Sequence, residues 1–306
     1  MTTKLFPISL ALLSLAACES FTPGSLITDT RVLGARVEVE GDPSRSTPRP
    51  GERVLVSLLV AGSRETPVLS WALAACLPGG SAGADCVGEP LGTALGISGR
   101  PELTLTVPSD SALGSSTKLQ LGGIVCVAGT PELSESGARC VGDGAVGTVV
   151  LFDLPLARAS DGSDDNQQPD LTDTGFALDD VPWTATSADP SGCASQALPE
   201  VRADEQEHDI TIELGPSARE LHLGPDRQVV YEELQLSHFS SAGELSRQFT
   251  FVEPEDDRER PRVSVKWTAP RASELLGDTQ TVRLILVVRD LRGGIALSER
   301  ALCVVR

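Results

Sequence analysis

Along most of this chain apolar and polar residues alternate with a period of two, the pattern of strands that bury one face. Between Val32 and Glu40, Val37 and Val39 fall on one side, with Glu38 and Glu40 on the other. A Pro-rich turn, Asp42 to Gly51, follows. Further strands are predicted over Arg53–Ala61, Val68–Cys76, Leu103–Val107, Leu119–Ala128 and Ala145–Leu154, with a short one near Leu91–Ile97. Helical spacing is nowhere sustained beyond two turns. Short strands separated by Gly/Pro/Ser/Asp clusters predict an antiparallel β-sandwich over residues 32–158.

The pattern breaks over residues 159–180, which carry seven Asp and no Lys or Arg. Such a stretch repels itself and buries little, so it predicts a solvated acidic linker, its second half available as the first strand of the next domain. A second sandwich is then predicted over 181–306, with strands at Asp209–Leu214, Val229–Ser237, Arg247–Val252, Arg262–Thr268, Thr281–Arg289 and Ile295–Val305. The last two flank Asp290-Leu291-Arg292-Gly293-Gly294, a hairpin turn whose glycines are free to take positive φ. The expected fold class is therefore all-β, with two antiparallel β-sandwich domains.

Two resemblances sharpen that reading. Trp71 lies in the third strand, where immunoglobulin-like domains often bury a tryptophan. The closing stretch from Thr281 to Val305, preceded by Trp267-Thr268-Ala269-Pro270, resembles the final hairpin of bacterial PKD- and cadherin-like domains. Both imply immunoglobulin-like sandwiches. They speak to fold more than to function.

The N-terminus has a different pattern. Lys4 precedes an apolar run from Leu5 to Leu15, which ends in Leu15-Ala16-Ala17-Cys18. The run is too short for a membrane span, for which about 20 residues are needed, and Pro7 interrupts it. It has the length of a secretory signal. The segment resembles the bacterial lipoprotein signal, whose lipobox ends in a cysteine. The resemblance implies a signal peptide over 1–17, cleavage before Cys18, lipid on that thiol and on the new amine, and a lipidated tether over 18–31. Several acyl chains hold a protein on a membrane where one does not. In that family an Asp after the cysteine favours inner-membrane retention. Glu19 stands there instead, so the expected address is the outer membrane.

Composition narrows the partners. There are 43 Asp+Glu against 25 Lys+Arg, a net charge of −18, and loss of Lys4 with the signal makes it −19. No basic stripe offsets this, which argues against nucleic acid. Aromatic residues make up only 4%, so the cores must be built mainly of Val, Leu, Ala and Ile. With Cys18 set aside, Cys76, Cys86, Cys126, Cys140, Cys193 and Cys303 remain, an even number in an exported chain and hence a disulfide framework. Sequence leaves the connectivity open. The expected pairs are Cys76–Cys86, Cys126–Cys140 and Cys193–Cys303, the last closing a loop long enough to contribute about 4–5 kcal/mol. No C-x2-C pair supports a zinc site.

Candidate chemistry is sparse. His208, His222 and His238 form no metal or general-base motif. Ser115-Ser116-Thr117-Lys118 matches S-x-x-K, but its S-D-N and K-T-G companions are missing and the stretch precedes a β run. There is no G-x-S-x-G, P-loop or dinucleotide fingerprint, and no cofactor is expected. Asp161, Ser163 and Asp165 have the opening spacing of a calcium loop, but Asn166 replaces its glycine and Thr172 its final Glu. Asp161, Asp164, Asp165 and Asp290 remain weak calcium candidates beside the reading as a solvated charge run, the last three able to converge at an interdomain junction. The charged stretch Glu253 to Arg260 predicts an exposed loop.

Two functions fit. One is a lipid-anchored, non-enzymatic envelope protein that serves a larger assembly or presents loops to a protein or polysaccharide. The other is an envelope hydrolase whose site no short motif reveals. A deep polar cleft with two titratable groups would favour the second.

Overall fold

The computed structural model describes residues 23–62, 68–79, 86–134, 137–158, 165–184, 186, 192–194, 198–224 and 228–306, with backbone alone for 86–88 and 133–134. The chain is nearly all β. Its first half holds β1 (Arg31–Val39), β2 (Arg53–Ala61), β3 (Leu69–Pro78), β4 (Cys86–Ser98), β5 (Glu102–Thr106), a one-turn helix α1 (Asp110–Leu113), β6 (Lys118–Ser134) and β7 (Gly137–Pro155). One sheet has the order β1-β2-β5 and the other β4-β3-β6-β7. Strands two and five thus share one sheet and three, six and seven the other, as in an immunoglobulin-like sandwich. Between the sheets lie Val37, Val39, Val56, Leu58, Leu73, Leu121, Val125 and Trp71. Gly96, paired with Trp71 across the β3–β4 ladder, leaves room for the indole: a Cβ there would sit 2.5 Å from the ring.

The second half holds β8 (Gly175–Leu178), β9 (Val181–Pro182), β10 (Glu200–Arg202), β11 (Glu207–Glu213), β12 (Leu221–Leu223), β13 (Val229–Tyr231), β14 (Leu234–Ser240), β15 (Glu244–Leu245), β16 (Phe249–Val252), β17 (Arg262–Thr268), β18 (Thr279–Arg289) and β19 (Ile295–Val305). Sheets β10-β19-β18-β14-β16 and β15-β17-β11-β8-β9 enclose a core around Trp183, Trp267, Ile212, Leu234, Leu286 and Val304. A small β12–β13 hairpin stands apart. The strands beyond the expected six are mostly of two to four residues, too short to show a period. The expected strand Val229–Ser237 is broken: Tyr231 stacks under Arg219 in the small hairpin, Glu232 turns into the interior, and β14 starts at Leu234. One pair departs from the antiparallel expectation. β10 joins β19 in parallel, where the Cys193–Cys303 disulfide ties the incoming chain beside β19.

The halves stack sheet on sheet. Leu33 and Ala61, on the outer side of β1 and β2, meet Phe239, Ile285, Val287 and Ile295 from β14, β18 and β19. This arrangement explains β18, whose run Val-Arg-Leu-Ile-Leu-Val-Val does not alternate. Leu284, Leu286 and Val288 fill the second core, while Ile285 and Val287 fill the contact with the first half. A strand covered on both sides reads as a continuous apolar run.

Two expectations about connecting segments are corrected. The tether is not free from residue 23 on: Ile27 is fully buried between the halves, and its N–H donates to the Ser240 carbonyl at 2.7 Å. Nor is the acidic stretch wholly solvated beyond Asp165: Asn166 is fully buried and Gln168 and Thr174 are buried as well, while Asp170, Asp173, Asp179 and Asp180 stay exposed as expected. The Asn166 and Gln168 amides find backbone and side-chain partners in both halves, which solvent would otherwise have to supply.

Candidate functional site

Three features could carry function: the seam between the halves, the outer face of the first sandwich, and a cleft beside the N-terminal segment.

The seam is built around Asn166 and Gln168. Asn166 Nδ2 donates to Ser46 Oγ and to Asp290 Oδ2, both at 2.7 Å. Gln168 Nε2 donates to the Val37 carbonyl at 2.5 Å, and its Oε1 accepts from the Ile295 N–H at 2.8 Å. Each amide thus bonds the first half with one hand and the second half with the other. Asp290 Oδ1 also accepts from the Arg292 and Gly294 N–H groups, each at 2.8 Å. Gly294 is needed for this approach, because a Cβ there would lie 2.0 Å from Asp290 Oδ2. The positive-φ positions of the turn are Leu291 (60°) and Gly293 (118°), so the freedom expected of both glycines falls to only one of them.

Next to Asp290 lies Glu232, which is 2% exposed. It pairs with Arg292 Nη1 at 2.6 Å and accepts from the Glu220 N–H at 3.2 Å. Burial, reinforced by the neighbouring Asp290 and Glu220 charges, outweighs that pairing and pushes the carboxyl up to about 7. A carboxyl held near neutrality is a recurrent mark of functional sites, though ion-pair networks produce it too.

The weak calcium candidates divide. Asp161 and Asp164 lie outside the described residues. Asp165 is engaged by Arg49 at 3.0 Å, with Arg45 at 3.8 Å, and Asp290 is filled by the three N–H donors above. Both are committed to cations or amides of this chain. The other sequence candidates are also placed. His238 is buried against Thr250 Oγ1 at 2.8 Å, and burial together with Arg247 lowers it to about 4. His208 contacts Asp179 Oδ2 at 2.7 Å and leans on Trp267. Lys118 of the S-x-x-K match opens β6, not a helix, and pairs with Asp153 at 2.6 Å. Cys126 is bonded to Cys140 and Cys193 to Cys303. Cys76 is disulfide-bonded, while Cys18 and the Cys86 side chain lie outside the described residues.

The outer face of β4-β3-β6-β7 was missed from sequence. One register row crosses it as Leu95, Ala72, Ile124 and Val149. Its neighbours add Ile97 and Leu151, and no charged residue stands in these rows. The distal part of the β6–β7 hairpin folds back over the middle, so that Ala138 and the Cys126–Cys140 bridge cover Ala72 and Ile124. On the flanks Leu95 is 72% exposed, Ile97 74%, Val149 66% and Leu151 53%. The signal was present: in Ala145–Leu154, Val149 and Leu151 are apolar as well as Val150, Phe152 and Leu154. The opposite outer face, on β11 and β17, carries ion pairs instead, Glu207–Lys266 and Glu213–Arg262.

A cleft of about 600 Å³ opens beside the N-terminal segment, with Pro23, Leu26, Ala242, Pro270, Leu275 and Leu276 among its lining. Its charged groups are three carboxylates and one guanidinium: Glu205 pairs with Arg271 at 2.7 Å, Glu274 accepts from the Arg271 N–H at 3.2 Å, and Glu244 is exposed. Among the described residues no helix is long and apolar enough to cross a membrane.

No family model matches the chain, and no curated protein matches it. Among solved structures, red sea bream transglutaminase aligns with 92% of this chain at 9% identity and a TM-score of 0.25. The chain spans about a third of that protein, 32% of its length.

Proposed function

We propose that the chain is a lipid-anchored, non-enzymatic cell-envelope protein, held on the outer membrane through Cys18, whose first sandwich presents the β4-β3-β6-β7 face to a protein partner. The lipobox resemblance at Leu15–Cys18 supports the anchorage. The binding reading is carried by one contrast. β18 and β7 are both apolar on two faces; the second face of β18 is covered by the other half of the chain, whereas Val149 and Leu151 of β7 stay exposed. Exposed apolar residues gathered on the two flanks of one sheet face, Leu95 with Ile97 and Val149 with Leu151, mark an interaction surface on either side of the covering hairpin. Its aliphatic make-up, with no aromatic ring on the exposed flanks for a sugar to stack on, suits a protein surface better than a polysaccharide.

The test has two parts. Intact mass of protein purified from its own membrane is expected to begin at Cys18 and to carry acyl chains. Solubilised gently from that membrane, the chain is expected to migrate in a discrete complex with another protein, and Leu95→Lys with Val149→Lys is expected to release it. Neither change touches the core, so thermal stability should move by no more than about 0.5 kcal/mol. A wild-type chain that migrates alone, or a complex indifferent to both substitutions, refutes the binding reading.

A further inference from the structure

The geometry points to a defined seating on the membrane: we infer that the end of the second sandwich bearing Pro23, Pro270 and Leu276 rests against the lipid surface that carries the anchor. This inference rests on the lipidation proposed above.

The reason lies in where the docked chain begins. The segment from Pro23 is fixed to the body by several bonds. Ile27 N–H donates to Ser240 O, Ser240 N–H donates to Ser25 O at 2.8 Å, and Arg31 Nη1 donates to Gly24 O at 2.6 Å. Ile27 itself is fully buried in the contact between the halves. Only Glu19 to Thr22 separate Cys18 from this fixed point. Whatever their conformation, five peptide steps reach at most about 18 Å. The lipidated residue therefore cannot stand the body off on a long leash, and the near end must face the headgroups.

That end has the surface for it. Pro23 and Leu26 share the cleft with Pro270, Leu275 and Leu276. Leu276 is 72% exposed and stands on the loop before β18. Both arginines there are paired within the protein, Arg271 with Glu205 and Arg306 with Asp278, while Glu244 and Glu274 leave the end net acidic, which suits a zwitterionic rather than an anionic lipid surface. A single leucine anchors weakly by itself, but the acyl chains fix the distance, and burying it in the interface then needs no further association. The partner is thus a bilayer surface rather than a soluble ligand, and the cleft opens at that surface. The far end, with Leu223 on β12, lies beyond the start of β14, a strand of seven residues and hence about 20 Å long.

The experiment uses the lipidated full chain reconstituted in phosphatidylcholine vesicles whose acyl chains carry bromine, a contact quencher of indole fluorescence. The native tryptophans, Trp71, Trp183 and Trp267, are all buried and give the background. Leu276→Trp is expected to lose emission relative to unbrominated vesicles, and Leu223→Trp and wild type to lose none. Lipidated protein in which Leu276→Trp is unquenched, or is quenched no more than Leu223→Trp, overturns the seating while leaving the anchor intact. A mass without acyl chains overturns the anchor reading, and the seating with it.

Discussion

Replacing Glu232 by Gln removes the ionisable group at the seam and keeps its shape. The carboxyl has an ordinary value of 4.5 and is raised to about 7 in the fold, first by burial and then by Asp290, against the opposing pull of Arg292. Between those two values the folded chain holds a proton that the unfolded chain has released. The stability it contributes is complete below about pH 4.5 and is lost as the pH rises through about 7. At 1.36 kcal/mol per decade, the displacement from 4.5 to about 7 corresponds to about 3 kcal/mol, or roughly 5–10 °C in Tm for a chain of this size. His238 works in the opposite direction. Lowered from 6.5 to about 4, it stays neutral in the fold, so stability is lost as the pH falls from 6.5 towards 4. The two effects partly cancel in the wild type between pH 4.5 and 6.5, which is why the informative quantity is the difference between wild type and Glu232→Gln. Urea unfolding at pH 5, 6, 7 and 8 is expected to show the variant gaining on the wild type steadily as pH rises, by a few kcal/mol between pH 5 and 8. A difference that is flat over that range would refute the reasoning, since Glu232 would then not be taking up a proton on folding.

Other substitutions probe the same structure. Asn166→Ala deletes the bonds to Ser46 and Asp290 in a fully buried setting, and urea unfolding should register a loss of about 2–3 kcal/mol. Asn166→Asp should be worse, and more so at pH 8 than at pH 5, because it sets a second carboxyl against Asp290; equal losses at both pH values would argue against that contact. Gly147 lies under the Cys126–Cys140 bridge, where a Cβ would fall 2.1 Å from Cys140 Sγ. Gly147→Ala is expected to cost about 1–3 kcal/mol by overpacking and much less in a Cys126→Ser/Cys140→Ser background, with thermal unfolding of the four proteins closing the cycle. An undiminished cost without the bridge would place the clash on the backbone of Val125 instead.

Much of the architecture comes from local physics. Side chains alternate across a strand every residue, so Val37 and Val39 had to share a face opposite Glu38, and the Gly/Pro/Asp clusters had to interrupt the ladders. That reasoning yields the all-β class, nearly all of the first seven strands and the closing β18–β19 hairpin, and the even set of exported cysteines indicates a disulfide framework. It missed the two- and three-residue strands β9, β10, β12 and β15, because so few residues cannot display a period. What only the tertiary structure decided is which surface covers which. The apolar runs of β7 and β18 look alike in sequence, yet Ile285 and Val287 are covered by the first half while Val149 and Leu151 are not. Composition marks Asn166 and Gln168 as linker, and Glu232 falls without distinction inside the expected strand Val229–Ser237. They are buried because two sheets far apart in the chain dock there, and a polar group taken from water must find its partners on whatever that docking brings near. Burial and the charges around a group are properties of the assembled layers, and no window along the chain contains them.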